Sequence, residues 1–143
     1  MFSFAAVFSA TAATGRVVKV LPLFLDQQGR HALSPSLFDR DAYQAQLRKN
    51  PEQRTAMRFD VLWRVRGEAS GKLKLRLELR GMAHGNLPQE KTLETEVSAT
   101  GLNRWSSIKL GGDDYKNFGE VTAWRVTLWD GDQQLGEQKS FLW

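Results

Sequence analysis

Between residues 57 and 66 apolar Met57, Phe59, Val61, Trp63 and Val65 alternate with Arg58, Asp60, Leu62, Arg64 and Arg66. A period of two places the first set on one face of an extended strand and the second on the other, with Leu62 as the one apolar exception. The rhythm returns after the stretch 67–71. Leu73, Leu75, Leu77 and Leu79 alternate there with Lys74, Arg76, Glu78 and Arg80. At helical spacing these leucines would spread around a cylinder, so the segment is a strand although Leu and Lys have weak intrinsic strand preference.

Weaker alternation follows. Leu93, Thr95, Val97 and Ala99 oppose Glu94, Glu96 and Ser98, and residues 105–110 form a further strand after a turn at Gly101. Trp124, Val126 and Leu128 alternate with Arg125, Thr127 and Trp129. Asp130-Gly131 then supplies the chemistry of a tight hairpin turn into a last strand over 134–143. At the other end of the chain, residues 16–26 (RVVKVLPLFLD) are β-branched and apolar. Pro22 cannot donate a ladder hydrogen bond, which marks this strand as a sheet edge.

One segment departs from period two. Residues 38–50 (FDRDAYQAQLRKN) place Tyr43 and Leu47 four apart, with Asp39 as the expected N-cap and Asn50-Pro51 as the stop. A short helix is therefore expected within a connection of roughly thirty residues, long enough to cross from one sheet to the other and cover an end of the core. Together these elements predict an all-β fold: an antiparallel two-sheet sandwich of about seven strands, with one short helix inserted between the first two. At 143 residues the chain has room for one core, placed over residues 15–143.

Phe59-x-Val61-x-Trp63 resembles the second strand of fibronectin type III domains, and the 124–143 hairpin resembles their last two strands. The order over residues 16–143 is similar to that of immunoglobulin-like and fibronectin type III-like sandwiches, without the antibody cysteine pair. Tyr115 lies too early for a tyrosine corner. The resemblance implies an adhesion, spacer or docking module and carries no information about a ligand.

Composition narrows the function classes. Twenty Lys and Arg against sixteen Asp and Glu give a net charge of +4, but the longest basic run is Arg48-Lys49, so no specific nucleic-acid reader is expected. With no cysteine, neither disulfides nor thiolate metal sites are available. No apolar run reaches the ~20 residues of a spanning helix, which excludes an integral helical membrane protein. Residues 1–14 (MFSFAAVFSATAAT) are apolar, uncharged and end in small residues, as in the back half of a secretory signal peptide without its basic start. A secreted or periplasmic, cell-envelope location follows from that reading. A flexible tail or an added apolar strand carrying Phe2, Phe4 and Phe8 is the competing one.

Candidate chemistry is sparse. His31 and His84 stand alone, no nucleophile, phosphate-loop or dinucleotide motif occurs, and no catalytic residue, metal or cofactor is expected. Asp113-Asp114 reads as a solvated turn, with calcium as the less favoured alternative. Trp63 and Trp124 are expected in the core, whereas Trp105, Trp129 and Trp143 could stack on sugars as a carbohydrate-binding module would. Arg58, Arg64, Arg66, Lys72, Lys74, Arg76 and Arg80 could form a basic, polyanion-binding face, opposed by Glu90, Glu94 and Glu96 on the next strand. Phe141-Leu142-Trp143 loosely resembles the ending of outer-membrane barrels, but no apolar band supports that fold. The leading expectation is a non-catalytic envelope or secreted module that docks on a protein partner through its loops or through the edge opposite the Pro22 strand.

Overall fold

The computed structural model describes Ser3 and residues 12–69, 71–83, 85–98 and 104–143. His84, Ala99, the Gly101 turn and most of the expected leader lie outside these. The alternating segments become seven strands in two antiparallel sheets. One sheet has the order β1 (Thr14–Leu25), β2 (Ala56–Arg66), β5 (Arg104–Gly111); the other runs β4 (Leu87–Val97), β3 (Leu73–Ala83), β6 (Glu120–Asp130), β7 (Gln133–Lys139). The Pro22 strand is an edge, as its missing N–H requires.

Period two sorts the side chains as expected. Leu75 and Leu77 are completely buried and Leu73 and Leu79 nearly so, facing Phe59, Val61 and Trp63 of the other sheet. Trp63 is buried with its Nε1–H donated to Ser106 Oγ at 2.9 Å, which satisfies the one polar group that the ring brings into the core. Trp124 is half-buried and sits beside Leu79 in the same sheet, meeting Phe59 of the opposite sheet edge-on with centroids 6.5 Å apart. The sandwich closes along one side where β1 meets β7. A Cβ on Gly136 would lie 3.0 Å from Arg16 Cα, so that approach needs glycine.

Several expectations are corrected. The helix α1 (Leu37–Lys49) is capped by Ser36, whose side chain accepts from the Asp39 amide; Asp39 sits in the first turn and accepts from Ser34 Oγ at 2.6 Å. Ser outcompetes Asp as the cap because an earlier start leaves Asp39 near the positive helix end. The long connection does not cross between sheets, since β1 and β2 pair directly with each other. It folds back, and α1 packs on β1, burying Tyr43 and Leu47 with Leu23 and Leu25. Asp113-Asp114, read as a solvated turn, lie instead in a two-turn helix α2 (Gly112–Phe118) that places Phe118 against Gly81. Strand β4 begins at Leu87, six residues early, after a turn in which Gly85 and Asn86 both have positive φ. Strand β7 stops at Lys139, short of Trp143.

Buried Asp26 ties the connection down. Its carboxylate accepts from Tyr43 Oη at 2.5 Å, from the Gln28 and Arg30 amides at 2.9 and 2.8 Å, and from Arg30 Nε at 3.0 Å. Its backbone carbonyl takes the Thr55 hydroxyl at 2.7 Å. Burial alone would raise its pKa, but the hydrogen bonds from Tyr43, Arg30 and Gln28 overcome it and hold the carboxyl at about 2, below its ordinary 3.8.

Two outcomes follow. Leu77→Ala should lose about 2–5 kcal/mol of unfolding free energy in urea titrations, as expected for a fully buried leucine. The folded chain binds a proton at Asp26 more weakly than the unfolded chain, so this group's stabilisation is complete above pH 3.8 and is lost as the pH falls toward 2. Across that interval urea midpoints should drop more steeply for the wild-type protein than for Asp26→Asn, and parallel curves would refute the linkage.

Candidate functional site

The outward positions of the two sheets differ in how their charges are matched. On the four-stranded sheet, direct register sets Lys74 against Glu96, Arg76 against Glu94, Arg80 against Glu90 and Glu78 against Arg125. Arg76 Nε meets Glu94 Oε1 at 2.8 Å, Lys74 Nζ meets Glu94 Oε2 at 3.5 Å, and Arg125 contacts Glu137 at 2.6 Å and Glu78 at 3.7 Å. Lys72, just before β3, reaches Glu96 at 3.7 Å. The Arg76 hydrogen bond holds the Glu94 carboxyl below its usual range against the opposing effect of burial.

Arginines also lie over the tryptophans of this face. Arg76 stacks on Trp129 at 4.5 Å, and the indole N–H of Trp129 is donated to Thr127 Oγ1 at 2.7 Å. Arg80 stacks on Trp143 at 3.9 Å. Both rings are half-buried, so the guanidinium planes occupy ring faces that a sugar would use.

The three-stranded sheet is matched differently. Its outward positions run in rows from β1 through β2 to β5: Leu23, Arg58, Lys109; Leu21, Asp60, Ser107; Lys19, Leu62, Trp105; then Arg16 opposite Arg64 and Thr14 opposite Arg66. The helix α1 packs at the Leu23 end, while Trp105 at the other end is 53% exposed beside Leu62. Asp60 is the one carboxylate among these strand positions, and it is already engaged by Arg58 at 2.8 and 3.0 Å and by Ser107 Oγ at 2.7 Å. Six cations to one acid is an excess of five, larger than the net +4 of the whole chain. These strand positions alone hold a larger positive excess than the chain as a whole.

The residues singled out in the sequence are therefore divided between two faces. Arg58, Arg64 and Arg66 lie with Trp105 on the three-stranded sheet, and Lys74, Arg76 and Arg80 lie with Trp129 and Trp143 on the other. Arg16 and Lys19 join the first group although sequence reading passed over them. Three residues apart, they fall on opposite faces of a regular strand; a β-bulge between Val17 and Lys19 absorbs one residue and returns both to the outer face.

His31 lies 3.4 Å from the Arg58 guanidinium, and burial together with that charge lowers its pKa. Among the described residues no three His, Asp or Glu side chains converge as metal ligands, and Asp114 pairs with Lys91 at 3.6 Å. Arg54 is buried against the Phe24 ring at 4.4 Å and paired with Glu120 at 3.3 Å, beside an end cleft of about 640 Å³ that Tyr115 and Lys116 also line. Burial pushes the Tyr115 hydroxyl pKa up.

Removing a covering arginine should uncover the indole beneath. Arg76→Ala is expected to shift tryptophan emission to the red and increase acrylamide quenching, and the same change in a Trp129→Phe background should produce neither. Comparison with protein families, characterised proteins and solved structures finds no match to this chain.

Proposed function

We propose that the chain is a non-catalytic, secreted or envelope-located docking module of the immunoglobulin-like, fibronectin type III-like superfamily, and that it binds an acidic protein partner through the outer face of β1, β2 and β5. The superfamily reading is supported by strand order. Relative to the constant-type immunoglobulin arrangement, the fourth strand has moved from the first sheet to the second, leaving β1-β2-β5 packed on β4-β3-β6-β7. The envelope reading is supported by the apolar, small-residue start of the sequence.

The observation that carries the docking reading is the unmatched cation set around exposed Trp105. Tryptophan and arginine are the side chains that most often dominate protein interfaces, and here Trp105 and Leu62 form an apolar centre with Lys19 and Arg64 at its rim. A flat pleated surface with side chains standing out of it suits another protein's surface better than it would enclose a small substrate. The excess positive charge selects acidic partners and speeds their encounter.

With the full chain immobilised, an acidic protein should be captured from native envelope extract and released by moderate salt. In calorimetry with that purified partner, Trp105→Ala and Lys19→Glu should each weaken binding at least about tenfold. Both positions are exposed, so the melting temperatures of the variants should stay close to that of the wild-type protein. Unchanged affinity in both variants would refute this face as the docking surface.

A further inference from the structure

The last two rows of the docking face hold a local conflict. Arg16 of β1 lies directly opposite Arg64 of β2, and Arg66 follows two residues later on the same side. Directly opposed residues of an antiparallel pair have Cα atoms only about 4.5–5.5 Å apart, and like charges so placed destabilise the sheet. The same chain avoids the problem on its other sheet, where Lys74, Arg76 and Arg80 each face a glutamate. The three arginines line a cleft of about 260 Å³ with Thr14 and Gly15, and none of them reaches a carboxylate among the described residues.

We infer that this cleft seats a phosphate or sulfate group, held between the guanidinium groups of Arg16, Arg64 and Arg66. Three planar forks offer more donors and more charge than one carboxylate can use, whereas a phosphate brings close to two negative charges and three strong acceptor oxygens. Guanidinium is also the cation whose geometry matches such oxyanions two bonds at a time, and all three cations here are Arg. The bound group would turn a repulsive cross-strand pair into a bridged one. Departures from local pairing rules of this kind are expected where a site is kept for a ligand.

The inference deepens the docking reading and rests on it for the source of the anion: a phosphoryl or sulfuryl ester on the partner, seated in the two strand rows that follow that of Trp105, or the free ion. Three probes separate these sources: inorganic phosphate, a phosphoserine peptide, and the same peptide with serine, each against sodium chloride at equal ionic strength. Inorganic phosphate is expected to raise the melting temperature of the full chain and to move the backbone amide signals of Thr14–Val17 and Arg64–Arg66 in NMR spectra. The phosphoserine peptide should do so at least about tenfold more tightly than its serine counterpart if the ester is the source. A response to inorganic phosphate alone assigns the site to the free ion.

Arg64→Gln should melt at or above the wild-type temperature in phosphate-free buffer, because it relieves the repulsion, and should lose the phosphate response. Arg16→Gln repeats the test from the other strand. A phosphate effect no larger than that of chloride, a response that survives both substitutions, or lower stability of both variants in phosphate-free buffer would overturn the inference. If the cleft fails these tests while partner binding still depends on Trp105 and Lys19, the docking face stands without it. If the cleft passes while partner binding ignores Trp105 and Lys19, the face falls and the anion site remains.

Discussion

The fold rests on burial of the β3 leucine row against Phe59 and Trp63 of the facing sheet. Leu73, Leu75, Leu77 and Leu79 alternate without interruption, so the chain can shut them away from water in one extended conformation, and a slip of one residue would exchange all four for Lys74, Arg76, Glu78 and Arg80. That cost sets the register of β3 against β4 and β6 together. Lys74, Arg76, Glu78, Glu94, Arg125 and Glu137 thereby acquire partners, so these ion pairs follow from a registry that burial imposes.

The same constraint explains why the first sheet needs outside help. It has three strands, and its β1 edge carries Leu23 and Leu25 on the outward side, where they would otherwise be wet. The helix α1 covers them, held by Gln44, which donates to the Phe24 carbonyl at 2.9 Å and accepts from the Phe24 amide at 2.8 Å. Asp26 anchors the return of the chain through four hydrogen bonds to its carboxylate. This end of the outer face is committed to folding, whereas the Trp105 end stays open to solvent.

The two outer faces thus divide the surface chemistry. On the four-stranded sheet, arginines lie over Trp129 and Trp143 and glutamates neutralise lysines and arginines, a surface that satisfies itself. On the three-stranded sheet, six outward cations share the single carboxylate of Asp60, and a large aromatic ring stands in solvent. Ion pairs at an exposed surface stabilise little, so the contrast matters less for folding than for what each face attracts.

Sequence alone determined the strands with clean alternation, the edge character of the Pro22 strand and the all-β sandwich, because period two and the missing proline N–H are local properties of the chain. It also located α1 to within a residue at each end, although Ser36 rather than Asp39 proved to be the cap. It did not determine α2, whose Asp113-Asp114 look like a turn until Phe118 finds its seat against Gly81. Nor did it divide the cations between faces. Whether Arg16 opposes Arg64 depends on a bulge at Val18 and on β1 pairing with β2 rather than crossing to the other sheet, and both are decided by which apolar residues the assembled core can bury. Side-chain alternation is written along the chain, whereas the partner across the ladder exists only once the strands have met.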